Sequence, residues 1–157
     1  MGPYWLAGKA ATASEATETW KMAPVDCKEL LHVSLALVRR EGILIIATID
    51  MRLYISMDAG HHIQEVKAAR QWNGRVTAMA LHGPLLVIGL DSGRLCVYRT
   101  QGSLIDIVPR LPDWSQQLYK DPIIAVDVTS DPVTMRPIVA ATTLREELLV
   151  SWPFGSV

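Results

Sequence analysis

The chain has 157 residues, half of them hydrophobic, with a mean hydropathy of +0.21 and a formal charge of −1 from 15 basic and 16 acidic side chains. That length suffices to bury a core. No apolar run reaches the ~18–20 residues of a membrane helix, and the balanced charge argues against nucleic acid or an anionic membrane as the main partner.

The N-terminus, Met1-Gly2-Pro3-Tyr4-Trp5-Leu6, lacks the basic-then-apolar order of a secretory signal. Two cysteines, Cys27 and Cys96, form neither a disulfide framework nor a zinc set. A reducing compartment, cytoplasmic or nuclear, is therefore expected. Tyr4-Trp5-Leu6 has the makings of a short strand. Residues 7–19 are small and polar and read as linker. Residues 1–29 are thus expected to be a partly disordered N-terminal segment, and 30–157 the folded part.

A first unit spans 30–70. Leu31, Val33, Leu35 and Leu37 alternate with polar or small residues, the period of a half-buried strand. After the turn at Glu41-Gly42, Ile43–Ile49 is continuously apolar, as expected of a strand covered on both faces. Arg52–Ser56 and the more polar His62–Val66 supply a third and a fourth strand. A second unit, 74–108, repeats the order. Val76–Leu81 alternates, Leu85–Leu90 is apolar, Asp91-Ser92-Gly93 is a hairpin turn, Arg94–Arg99 alternates, and Ser103–Val108 is expected to be the outer strand. A looser third unit, 122–152, offers Ile123–Val128, Pro137–Ala141 and Leu148–Trp152, and Pro153 ends the pattern.

The first two units echo one another at a spacing of about 42 residues: Leu44-Ile45-Ile46-Ala47-Thr48-Ile49-Asp50-Met51-Arg52-Leu53 reads again as Leu86-Val87-Ile88-Gly89-Leu90-Asp91-Ser92-Gly93-Arg94-Leu95. The stretch Leu86–Tyr98, an apolar strand, a small residue, Asp-x-Gly and a strand ending in an aromatic, resembles WD40 repeats. The Trp-Asp dipeptide is absent: Ser56-Met57, Tyr98-Arg99 and Trp152-Pro153 stand in its place, and the Gly-His signature is missing too. The resemblance implies an all-β fold, a partial or degenerate WD40-like β-propeller built of four-stranded antiparallel blades. Closed propellers hold about four to eight blades, and this chain offers about three. The count favours a section of a larger propeller. The others are completion by another chain, or sheets packed as a sandwich. An extra strand from the N-terminal segment would not supply a missing blade.

Candidate sites follow from this frame. His61-His62 on a strand would point to opposite faces and read as a turn rather than a metal site. No Gly-x-Ser-x-Gly elbow or Gly-rich phosphate loop occurs, so no catalytic residue, metal or cofactor is expected. The segment Pro109–Pro122 is longer than a usual connection and carries Arg110, Trp114 and Tyr119, residue types enriched in binding hot spots. The resemblance implies that loops between blades lie on a binding face. The segment is therefore either partner-binding or folded back, with Trp114 filling a gap between blades. Trp72, at the preceding junction, is either packing or a partner contact. The expected function is that of a non-catalytic protein–protein interaction module, a scaffold or adaptor subunit. Its partner is expected to be protein, within a larger complex or as a chain that completes the propeller. The alternatives are a truncated isoform or fragment without independent function and, less favoured, an enzyme.

Overall fold

A computed structural model describes residues 32–154. The expectations for residues 1–31, including the Tyr4–Leu6 strand, the linker and Cys27, fall outside the described residues. Among the described residues eleven strands form three antiparallel sheets. Blade 1 holds β1 (Val33–Val38), β2 (Leu44–Thr48), β3 (Leu53–Ser56) and β4 (Gln64–Glu65). Blade 2 holds β5 (Val76–His82), β6 (Leu85–Leu90), β7 (Arg94–Arg99) and β8 (Trp114–Gln117). Blade 3 holds β9 (Ile123–Ser130), β10 (Pro137–Thr143) and β11 (Leu148–Ser151). Each is a simple meander, with neighbours in sequence hydrogen-bonded in space.

The blades are alike in pairing as well as in order. In blade 1, Ile45 pairs with Ile55 and Ala47 with Leu53. The matching pairs are Val87↔Val97 and Gly89↔Leu95 in blade 2, then Ala140↔Val150 and Thr142↔Leu148 in blade 3. A backbone hydrogen bond recurs where the second strand ends. The N–H of Ile49, Asp91 or Leu144 donates to the carbonyl just before the first strand, that of His32, Arg75 or Pro122, at 3.0, 2.9 and 2.9 Å. The hairpin that follows always carries one left-handed residue: Met51 (φ 66°), Gly93 (φ 84°) and Glu146 (φ 64°). Only blade 2 places a glycine there, the residue that adopts this conformation without steric cost. The echo at about 42 residues is thus a backbone repeat that extends, without sequence identity, into the third unit.

Two cores lie between the blades. Alternation sends one set of side chains from each strand to either face. Calling the face toward the next blade the forward one, blade 1's forward residues Ile45, Ala47, Leu53 and Ile55 meet blade 2's rear residues Leu86, Ile88, Leu90, Cys96 and Tyr98. Blade 2's forward residues Ala78, Ala80, Val87, Leu95 and Val97 meet Ile123, Val128, Val139 and Ala141 of blade 3. Strands β2, β3, β6 and β7 are buried on both faces, which is why β2 and β6 read as apolar runs. Gly89 allows the close approach of blade 3: a Cβ there would stand 2.5 Å from Ile123 Cγ2. Thr77 Oγ1 donates to the Ile123 carbonyl across the same seam.

One expected strand is replaced. Ser103–Val108 is not the outer strand of blade 2; Leu104–Ile107 is a 3₁₀ turn instead. Ser103 Oγ accepts from the Ile105 N–H at 3.3 Å, and the Asp106 N–H bonds the Ser103 carbonyl at 3.1 Å. The apolar pair Leu104 and Ile107, three residues apart, falls on one side of such a turn and is buried between blades. The outer strand is β8, so blade 2 closes at Gln117 rather than Val108. Its Trp-Ser-Gln-Gln sequence is largely exposed and offers no apolar alternation.

Candidate interaction surfaces

Placing β8 inside Pro109–Pro122 changes what that segment is. It crosses the outer edge of blade 2, and only residues 118–122 connect to blade 3. This connection is stapled to the Asp91–Gly93 turn. The Gly93 carbonyl accepts from the N–H of Leu118 and of Tyr119 at 3.1 and 3.2 Å. Gln117 Nε2 donates to the Ser92 and Tyr119 carbonyls at 2.5 and 2.6 Å. A Cβ on Gly93 would fall 1.9 Å from the Tyr119 carbonyl oxygen, so both the positive φ and the close approach demand glycine.

The four residues singled out in the sequence do not converge. Trp72 is in the core between blades 1 and 2, 5% exposed, its ring centroid 6.1 Å from that of Tyr98. It has almost no surface to offer a partner, so the packing alternative describes its position. Trp114 is half-buried, paired with Val97 across β7–β8, and packed against the core between blades 2 and 3. Tyr119 is half-buried in the connection, with both its backbone groups engaged.

Arg110 is the hub of a polar clamp. Its guanidinium donates to Asp106 Oδ1 at 2.9 Å, to Asp113 Oδ1 at 2.8 Å and to the Arg99 carbonyl at 3.2 Å. Its own carbonyl accepts from the Tyr98 hydroxyl at 2.9 Å, and Asp113 Oδ2 accepts from the Arg99 N–H at 2.6 Å. The hydrogen bond from Arg110 holds the Asp106 carboxyl below its ordinary range, while burial pushes the Tyr98 phenol up. Arg110 is therefore committed to bracing residues 106–113. The clamp projects Leu111, 59% exposed, beside Pro112, a residue the sequence reading passed over. Its only signal there was a leucine between prolines.

His62 Nδ1 lies 2.5 Å from Asp58 Oδ2 in an exposed turn. Cys96 is buried in β7, and burial raises its thiol pKa. Among the described residues no helix is long and apolar enough to cross a membrane.

The second surface is the forward face of blade 3. Leu148 and Val150 occupy the positions of Leu53 and Ile55, and of Leu95 and Val97. Those four are 0% exposed, whereas Leu148 and Val150 are 66% and 51% exposed, and Trp152 beyond them is also exposed. No fourth strand covers the outer edge of β11 among the described residues.

No protein-family model matches the chain, and no curated protein matches it. Solved structures do. The chain resembles the β-propeller domain of Cps50 (Swd1) from Myceliophteria thermophila, with a TM-score of 0.58 and 11% identity over 80% of this chain and 37% of that one. It also resembles the computationally designed Ika4 protein (TM-score 0.54, 15% identity, 76% of this chain and 65% of that one). BBS1N, solved in complex with ARL6DN, gives a TM-score of 0.51 at 13% identity over 76% of this chain and 36% of that one. The chain thus spans from about a third to about two thirds of the length of these structures. At these identities the likeness concerns the fold. Three meander sheets fanned around their first strands, with the same pairing in each, make this chain a partial β-propeller.

Proposed function

We propose that the chain is a non-catalytic protein–protein interaction module, a scaffold or adaptor subunit of WD40-like type. The single observation that carries this reading is the clamped segment on the outer edge of blade 2. Loops that hold partners work best when a stiff framework fixes them before binding, because ordering costs are then already met. Tyr98 and Asp106, from β7 and the 3₁₀ turn, hold Arg110, and Arg110 in turn fixes Leu111 and Pro112. The contact would be a compact apolar tip, Leu111 with Pro112, flanked by the exposed edge of Trp114. Arg110 and Tyr119 support that tip. Cysteine usage supports a cytoplasmic or nuclear setting.

The test compares the wild-type chain with Leu111→Asp in affinity capture followed by mass spectrometry, alongside melting curves. A set of proteins lost from the variant at unchanged melting temperature supports the reading. Identical capture by both chains overturns it.

A further inference from the structure

We infer that the recess beside the Leu111–Pro112 tip takes an acidic side chain of a protein partner, an Asp or Glu carried in a short apolar segment. The inference rests on the interaction role proposed for the tip and names the chemistry that the tip grips.

The recess has a volume of about 310 Å³. Leu111 and Pro112 form one side. Trp72 and Asn73, just past the 3₁₀ turn Lys67–Gln71, form the other. Arg94 and Ser115, from the paired strands β7 and β8, complete it. An apolar wall with a few fixed polar groups is the ordinary make-up of a ligand site. Among the described residues no carboxylate lines this one, and Arg94 supplies its only charge.

Arg94 is held ready for an anion. Alternation puts it on the rear face of β7 with Cys96. Its Nη1 donates to Ser115 Oγ at 2.7 Å, which fixes the guanidinium and leaves most of its five donors free. Arg70 and Arg75, which flank the Gln71–Asn73 wall in sequence, are paired with Glu65 and Asp91. Arg94 meets no carboxylate among the described residues. It is half-buried, so a carboxylate beside it is screened less than on open surface. A fixed planar fork also suits a carboxylate better than a mobile cation does. Trp72 adds to the excess of donors, since its indole N–H is buried and has no acceptor among the described residues. The recess therefore asks its ligand for acceptors and a negative charge. Leu111, 59% exposed, and Pro112 take the apolar neighbours of that charge.

Peptide titrations followed by NMR of the full chain test this. The probes are acetyl-Leu-Glu-Leu-amide and acetyl-Leu-Gln-Leu-amide, taken to millimolar concentration. The Glu peptide is expected to shift the Leu111 methyl, Asn73 side-chain amide and Arg94 Nε–H signals. The Gln peptide is expected to bind about five- to tenfold more weakly. Arg94→Gln should erase that preference and Arg94→Lys, which keeps the charge, should retain part of it. Leu111→Asp should weaken both peptides. Unchanged circular-dichroism spectra separate lost binding from lost folding. No shift at these residues, equal binding of the two peptides, or an undiminished preference in Arg94→Gln overturns the inference. Stronger binding of acetyl-Leu-Gln-Leu with a free C-terminal carboxylate than of the Glu peptide overturns it too, assigning the recess to a chain end. Affinity capture separates this proposal from the one it rests on. If Leu111→Asp loses its captured proteins while Arg94→Gln keeps them all, the acidic ligand is wrong and the proposed function stands.

Discussion

Leu95 and Leu148 are the same leucine in two blades. Each lies two residues past the left-handed position of the preceding hairpin, and each pairs with a smaller residue on the second strand, Gly89 or Thr142. One is fully buried and the other is two-thirds exposed. The difference lies in what stands in front of the blade, because strand order, pairing and turn geometry are shared. Local sequence specifies the blade, and the neighbouring blade decides what that sequence is worth to stability.

Substitutions can turn this comparison into numbers, measured on the single chain at concentrations too low for association. Leu95→Ala empties a packed site between blades 2 and 3 and is expected to cost ~2–5 kcal/mol in chemical unfolding. Leu148→Ala, at the equivalent exposed site, should stay within about 0.5 kcal/mol. Equal losses would show that blade 3 is covered in the isolated chain. The seam itself is probed by Gly89→Ala, whose Cβ collides with Ile123. A loss of ~1–3 kcal/mol is expected, the ordinary cost of overpacking, whereas a neutral result would mean that blade 3 sits further from blade 2.

A gain rather than a loss is expected at the shared hairpin. Met51 holds the left-handed position that Gly93 fills in blade 2 and is itself partly exposed. Met51→Gly removes a conformational cost of ~1–2 kcal/mol and adds unfolded-state freedom worth ~0.5–1 kcal/mol. A net gain of about 0.5–1 kcal/mol is expected in the melting curve. A loss would mean that Met51 is held by contacts that outweigh its backbone strain.

Much of the fold was legible in the sequence because both of its signals are local. Alternation in Val76–Leu81 and the continuous apolar runs at Ile43–Ile49 and Leu85–Leu90 reflect burial on one face or two. Asp91-Ser92-Gly93 names its own turn. The outer strand of blade 2 was not legible. The Leu104/Ile107 spacing serves a 3₁₀ turn, and β8 is a polar edge strand whose place is set by backbone pairing with β7. That single reassignment moved Arg110 and Trp114 from a junction between blades to the edge of one and left Tyr119 in the shortened connection. Leu111 escaped notice because its exposure depends on the Arg110 clamp, which brings together residues from 98 to 113. The bare end of blade 3 could be counted from the sequence. Its matching to two covered faces required the registers.

Carbene footprinting of the dilute chain, read residue by residue, probes the asymmetry of the fan most directly. Heavy labelling at Leu148, Val150 and Trp152, with none at Leu53, Ile55, Leu95 and Val97, is the predicted pattern. Equal protection at all three sets of positions, or labelling across blades 1 and 2, would contradict it.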